Sequence, residues 1–374
     1  MTKSKPERIS LPPDLLTRLY GAARAFREIE CWRWMWDSDL FGVQNPVDGE
    51  ISYCCIMGRN GEHFAISAYT GTEGLESYYR IADSETHFER YESYFSQICL
   101  AVSFEDREIL NPEDVRMLRQ TGYTARGPHV WPQIRSHGPG LEPWYVNAEE
   151  AASLIHILEQ AIQVALRFKE NPDLLDSPGG EEYLVRIPEE GPNGLEWRDG
   201  WVLPPVADEP PDIAAPLDEV RMARIKKTIP RSSNVWEMGC FYAPGRVVGE
   251  GVRPYFPRMT LFVDHESGLV LFAHSSEPGR FPEQFPAHIM GSIEKTRMIP
   301  ATMLTGEIET LRMLAPIASA LGFEAELSDD LPCLTEAIES MFEYFTRPGA
   351  PGADGFPPAA APKRGRSRKT PRRR

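Results

Sequence analysis

Apolar residues recur along this chain with two periods, and the switches between them mark its elements. Over residues 11–30, Leu15, Leu16, Leu19 and Ala23 share one face of a predicted helix; Pro12 and Pro13 fall in its first turn, where a missing N–H is harmless. Residues 40–43, 51–57 and 64–69 then read as strands. Asp-Gly in Asn45-Pro-Val-Asp-Gly49 and Asn-Gly in Arg59-Asn-Gly61 supply positive φ between them, which predicts an antiparallel meander. A helix is expected from about Thr72, and residues 97–104 form another strand. Asn111-Pro-Glu-Asp opens a short helix, with a cap at Asn111 and proline at the first helical position. Strands at 129–135 and 144–146 flank Gly138-Pro-Gly140. Asn147-Ala-Glu-Glu150 then has capping-box spacing. Behind it Leu154, Leu158, Ala161, Ile162 and Ala165 make one helical stripe, and residues 183–187 and 197–203 pair as a hairpin.

The last third repeats this grammar more compactly. An apolar pair at 259–264 and 269–273 is followed by helix, strand, helix, strand, helix. The helices are marked by Phe285, Ile289 and Ile293, then by Ile308, Leu311, Leu314, Ala318 and Leu321 ending at Gly322, then by Leu334, Ile338, Met341, Phe342 and Phe345. The fold class is α+β, with two α+β domains built from hairpins, meanders and packed helices. The first covers residues 1–203 and the second 217–347. Between them, 204–216 is a proline-rich acidic linker. Residues 348–374 turn Gly/Pro/Ala-rich and then polybasic; they cannot bury enough to offset their ordering entropy, so a disordered tail is expected.

Charge sharpens that division. The formal net charge is -15, yet Lys363, Arg364, Arg366, Arg368, Lys369, Arg372, Arg373 and Arg374 lie within the last twelve residues without an acid, leaving the rest at -23. Such a body repels phosphate backbones except at a local basic patch, whereas the tail attracts nucleic acid or any polyanion. The tail also allows two blander readings, a solubilising segment or one that folds back on the acidic body. Cys31, Cys54, Cys55, Cys99, Cys240 and Cys333 show no C-x-x-C pair and mostly sit in apolar stretches, as reduced thiols do. No secretory signal follows Met1, and no apolar run is long enough to span a bilayer. A cytoplasmic protein without membrane contact is expected. No H-x-x-x-H, His/Cys cluster or Gly-x-Ser-x-Gly elbow supports a zinc or serine hydrolase.

Three short motifs invite chemistry, each with a plainer alternative. Asp264-His265-Glu266 is geometrically poor as a metal triplet in a strand and reads better as part of the turn Asp-His-Glu-Ser-Gly268. Gly71-Thr-Glu-Gly74 could hold an anion but lacks the third glycine and the lysine of phosphate loops, and reads better as a plain helix start. Trp32, Trp34 and Trp36 suit a recognition surface or core anchors.

The run Trp34-Met-Trp-Asp-Ser-Asp-Leu-Phe-Gly-Val, with Met57-Gly-Arg-Asn-Gly-Glu-His, Pro132-Gln-Ile-Arg-Ser, Pro139-Gly-Leu-Glu-Pro-Trp144 and Arg253-Pro-Tyr-Phe-Pro257, resembles an uncharacterised bacterial family of two adjacent domains of unknown function. The resemblance spans most of residues 10–346 and implies no activity. The element order of the second half is similar to the later part of the ribonuclease H-like fold, and Ile299-Pro-Ala-Thr-Met-Leu-Thr-Gly-Glu307 to the central segment of its integrase-type members. That likeness implies two metal ions held by carboxylates at strand ends. Asp264 matches the first acid; at the second, where an Asp is expected, the chain has Thr305-Gly306 with Glu307 next; the third is Glu336 or, less well, Asp330. Two functions follow. One is a non-enzymatic binding protein with an unidentified protein partner and non-specific nucleic-acid affinity through the tail, needing no cofactor. The other is a degenerate Mg²⁺-dependent nuclease-like domain.

Overall fold

A computed structural model describes residues 11–192, 194–204, 217–249 and 252–346. Most of the expected linker and the whole basic tail lie outside these residues. The described chain separates into two compact units, residues 11–139 with 143–204, and 217–346 with 140–142. Both are α+β with mixed sheets.

The first unit begins with α1 (Pro13–Ile29), then β1 (Phe41–Gln44), β2 (Ile51–Met57), β3 (Ala65–Thr70), α2 (Gly71–Asp83) and α3 (His87–Phe95). It continues with β4 (Cys99–Glu105), α4 (Pro112–Gln120), β5 (Trp131–His137), α5 (Ala148–Glu170), β6 (Tyr183–Gly191) and β7 (Gly194–Val202). Its strands form one sheet in the order β5-β4-β3-β2-β1-β6-β7. Only the β1–β6 pair is parallel. In β2, Cys54 and Ile56 join the core with α1 and α5, while Tyr53 and Cys55 join a smaller cluster with Leu75 of α2. A strand covered on both faces loses its polar alternation, and β2 reads as a nearly continuous apolar run for that reason.

Two local expectations change. The single helix from Thr72 is two, because Thr86 and Glu89 form a reciprocal capping box that starts α3 afresh. The strand expected at 144–146 is one bridge, Trp144 to Ser136.

The second unit runs α6 (Glu219–Thr228), β8 (Val235–Tyr242), β9 (Arg258–Asp264), β10 (Val270–Ser276), α7 (Phe281–Thr296), β11 (Thr302–Thr305), α8 (Ile308–Leu321), β12 (Glu324–Leu327) and α9 (Pro332–Thr346). The sheet order is β10-β9-β8-β11-β12, with β8, β11 and β12 parallel and β8–β9–β10 antiparallel. The hairpin, helix, strand, helix, strand, helix order is the one that carries the ribonuclease H-like likeness. The central strand β8 had no clear sequence signal. Trp236, Met238 and Cys240 point into the core with α6, α7 and α8, whereas Gly239 faces Leu334 of α9 and Phe241 meets Phe342. Both faces are buried, and Glu237 interrupts the apolar run, so neither strand template fits.

Candidate functional site

The carboxylates singled out in the sequence do not converge. Asp264 ends β9 opposite Trp236, whereas Glu307 follows β11 and lies 3.7 Å from Arg258, at the other end of β9. Six residues of extended strand separate Arg258 from Asp264, about 20 Å. Two metals about 3.5–4 Å apart need carboxylates gathered at one point. The oxygens of Asp264 are also engaged: Ser267 donates its N–H at 2.9 Å and its hydroxyl at 2.7 Å, and Asn234 Nδ2 donates at 3.0 Å. These bonds hold its carboxyl below the usual range. Asp264 therefore closes the turn of the hairpin. Glu307 accepts from Thr310 Oγ1 at 2.8 Å in the first turn of α8, and Glu336 is exposed on α9. These residues do not fit a Mg²⁺ pair, and among the described residues no group of three or more His, Cys, Asp or Glu is placed to hold a metal ion.

The acid that the sequence did not single out is Glu237. It is wholly buried, with Oε1 2.6 Å from Nδ1 of His265 and Oε2 accepting the Leu334 N–H at 2.6 Å. The carboxylate thereby ties the turn after β9 to the first turn of α9, where it meets the positive helix end. Its two partners are the half-exposed His265 ring and a backbone N–H, both of which it holds in place.

A cleft of another kind lies in the first unit. It is a shallow, solvent-open cleft of about 730 Å³ lined by Arg107, Val115, Leu118, Arg119, Tyr123, Thr124, Ala125, Arg126 and Trp131. Its shape follows from the end of α4. Gly122, at φ 69°, sits in the left-handed position after the helix; its N–H bonds to the Arg119 carbonyl and that of Tyr123 to the Leu118 carbonyl. This is a Schellman stop, and a side chain at that φ is strained. The chain then reverses, putting Tyr123 and Arg126 across from Arg119. The following loop is pinned by Tyr123, whose hydroxyl donates to the Val130 carbonyl at 2.9 Å. The His129 N–H donates to Asp106 at 2.9 Å, and Arg27 Nε to the His129 carbonyl at 3.0 Å. Arg107 lies over the Trp131 ring, 5.5 Å from its centre, and Arg24 over Tyr123 at 4.4 Å.

The electrostatics of this cleft run against the protein as a whole. Three arginines line it and no carboxylate does. None of the three has a carboxylate ion pair among the described residues; other arginines such as Arg18, Arg59, Arg80, Arg297 and Arg312 share that property, and what sets these three apart is that they line one cleft. Two effects oppose an anion here: the C-terminal end of α4, at about 0.3–1 kcal/mol, and the carboxylates near the lining, Asp106 and Glu108 beside Arg107 and Glu28 close enough to act on Tyr123. A hydrogen bond from a charged donor contributes about 1.5–3 kcal/mol, so even one guanidinium outweighs the helix end.

The sequence-level comparisons divide at the same place as the sheets. Residues 17–186 match the model of a domain of unknown function, DUF7309, and residues 221–342 that of a second, DUF6930. The chain joins these two domains. No curated protein matches it. The cleft thus belongs to the DUF7309 domain, and the Glu237–His265 pair to DUF6930. Neither match brings an activity with it. Among the described residues no helix is long and apolar enough to cross a membrane. Of the three tryptophans near the start of DUF7309, Trp32 is buried in the core and Trp34 donates its indole N–H to the Ala165 carbonyl at 2.9 Å. Trp36 is partly exposed beneath Arg59. Gly71-Thr-Glu-Gly74 opens α2. Sequence reading missed the cleft because its arginines come from two separate segments; Arg119 and Arg126, flanking Gly122-Tyr123, were its one local signal.

Proposed function

We propose that this is a cytoplasmic, non-enzymatic binding protein whose DUF7309 domain receives an anionic ligand in the Arg107–Arg119–Arg126 cleft. The observation that supports this reading is a set of three guanidiniums without carboxylate partners in a chain of formal charge -15. Guanidiniums gathered in one concave place with no carboxylate bound to them, on a pinned loop, suit an anion site before its ligand arrives. The six free thiols suit a reducing compartment. The test is a titration of the full chain with pyrophosphate at low salt. Arg119→Glu and Arg126→Glu, both at exposed positions, are each expected to weaken binding about tenfold or more without changing the folded fraction. Unchanged affinity in both variants would remove the reading.

The basic tail is a second, separate polyanion-attracting element in this proposal, reading phosphates without regard to sequence. With six to eight phosphate contacts, its affinity for duplex DNA should collapse between low and physiological salt, with a slope near -0.9 per contact. A chain ending at Arg347 is expected to lose duplex binding and keep pyrophosphate binding. Undiminished duplex binding by the shortened chain would place the nucleic-acid site in the body.

A further inference from the structure

We infer that the ligand of the DUF7309 cleft is a nucleoside diphosphate or a close relative, with its base against Trp131 and Tyr123 and its phosphates on the arginines. The inference rests on the anion-site reading and adds the identity of the other half of the ligand. Tyr123 and Trp131 pack one side on the hydrophobic core, and their remaining surface lines the cleft, where it can meet a planar group. Here Tyr123 and Trp131 are neighbours, with ring centres 6.1 Å apart, and both line the same cleft as the three guanidiniums. Each ring already lies beneath an arginine, Arg107 on Trp131 and Arg24 on Tyr123. A ring face that accepts a planar cation accepts a planar base in the same way. A base that takes the place of Arg107 on Trp131 releases that guanidinium toward the phosphates. Val115 adds an apolar side, Leu118 behind it belonging to the core, and 730 Å³ falls within the range that holds a molecule of this size.

The charge pattern selects a mononucleotide over a polynucleotide strand. Arg107 is flanked in sequence by Asp106 and Glu108, and Arg119 and Arg126 are the only other cations of the lining. Asp106 is itself fixed at the base of the loop through the His129 N–H. A strand continuing past the cleft meets these carboxylates and the negative body, so the favourable field ends where a diphosphate ends. The pinned loop matters as well, because Tyr123 is held through its hydroxyl and loses little freedom when a base packs on it.

The test compares pyrophosphate, ADP and a ten-nucleotide oligothymidylate on the full chain in one buffer, by calorimetry at low and physiological salt. ADP is expected to bind about fivefold to a hundredfold more tightly than pyrophosphate, the usual gain from one stacked base. It should quench tryptophan fluorescence in the native chain and much less in Trp131→Phe. Trp131→Ala should lose the ADP advantage while keeping pyrophosphate affinity. If it fails to fold, the ligand series on the native chain and Trp131→Phe still decide the matter. Pyrophosphate binding as tightly as ADP would overturn the base assignment and leave the anion site standing. Binding of neither would overturn both. Oligothymidylate binding more tightly than ADP through Arg119 and Arg126 would overturn the mononucleotide assignment in favour of a strand.

Discussion

Asp114→Ala is expected to destabilise the DUF7309 domain by about 3–5 kcal/mol. Asp114 is 1% exposed and receives Arg135 through both guanidinium nitrogens, at 2.9 and 2.8 Å. The same carboxylate accepts the Asn111 N–H at 3.3 Å and completes the reciprocal cap of α4. Removal takes away the cap and strands a largely buried arginine charge, and the second loss dominates. Because α4 carries Val115, Leu118 and Arg119, the change should also loosen the cleft. The check is the urea midpoint of the first transition, together with pyrophosphate affinity. Replacing both partners by apolar residues, Asp114→Leu with Arg135→Met, should recover much of the loss. A loss below about 1 kcal/mol for the single variant would mean that Arg135 finds water, and the pair would not be holding α4.

The second large effect is acid sensitivity of the DUF6930 domain. His274 and His288 stack with ring centres 4.6 Å apart and planes 2° from parallel. His288 is buried, with Thr260 Oγ1 and Ser276 Oγ each 3.1 Å from a ring nitrogen; His274 meets Ser292 Oγ at 3.1 Å. Burial, and then the neighbouring His274, lower His288 to about 4; burial also lowers His274, with Arg221 acting in the same direction. Above about pH 6.5 the imidazole is neutral in both states and the pair costs nothing. Between 6.5 and about 4 the unfolded chain takes up a proton that the folded ring refuses, so stability falls with pH by about 3 kcal/mol. Asp264 is also held low, but its loss lies below the ordinary carboxylate range and is separable. The measurement is unfolding free energy from pH 7 to 4. His288→Gln should flatten the decline over that window, and an unchanged slope would locate the sensitivity elsewhere.

What the sequence made legible depended on how many sides of an element are covered. Amphipathic elements such as α5 show their stripe, and the caps at Asn111 and Asn147 act as their spacing implies. The β8 strand, covered on both faces and broken by Glu237, matched no template, although it is central to its sheet. Without β8 the register was unknown, so nothing in the sequence could show that Asp264 and Glu307 fall at opposite ends of β9. The turn reading of Asp264-His-Glu-Ser-Gly268 needed only local chemistry and agrees with the bonds observed. The cleft needed three-dimensional information of a different sort: Arg107 and Trp131 meet only because β4 and β5 pair at Glu105 and Trp131. An isolated arginine in sequence carries no sign of whether a carboxylate will reach it.

The most direct measurement is a chemical-shift map of the full chain titrated with pyrophosphate. The account predicts that the indole signal of Trp131 and the guanidinium signals of Arg107, Arg119 and Arg126 move together and saturate with one affinity, while the indole of Trp236 in the DUF6930 domain stays fixed. Shifts confined to the basic tail or to the second domain, with Trp131 and the three arginines unmoved, would contradict it.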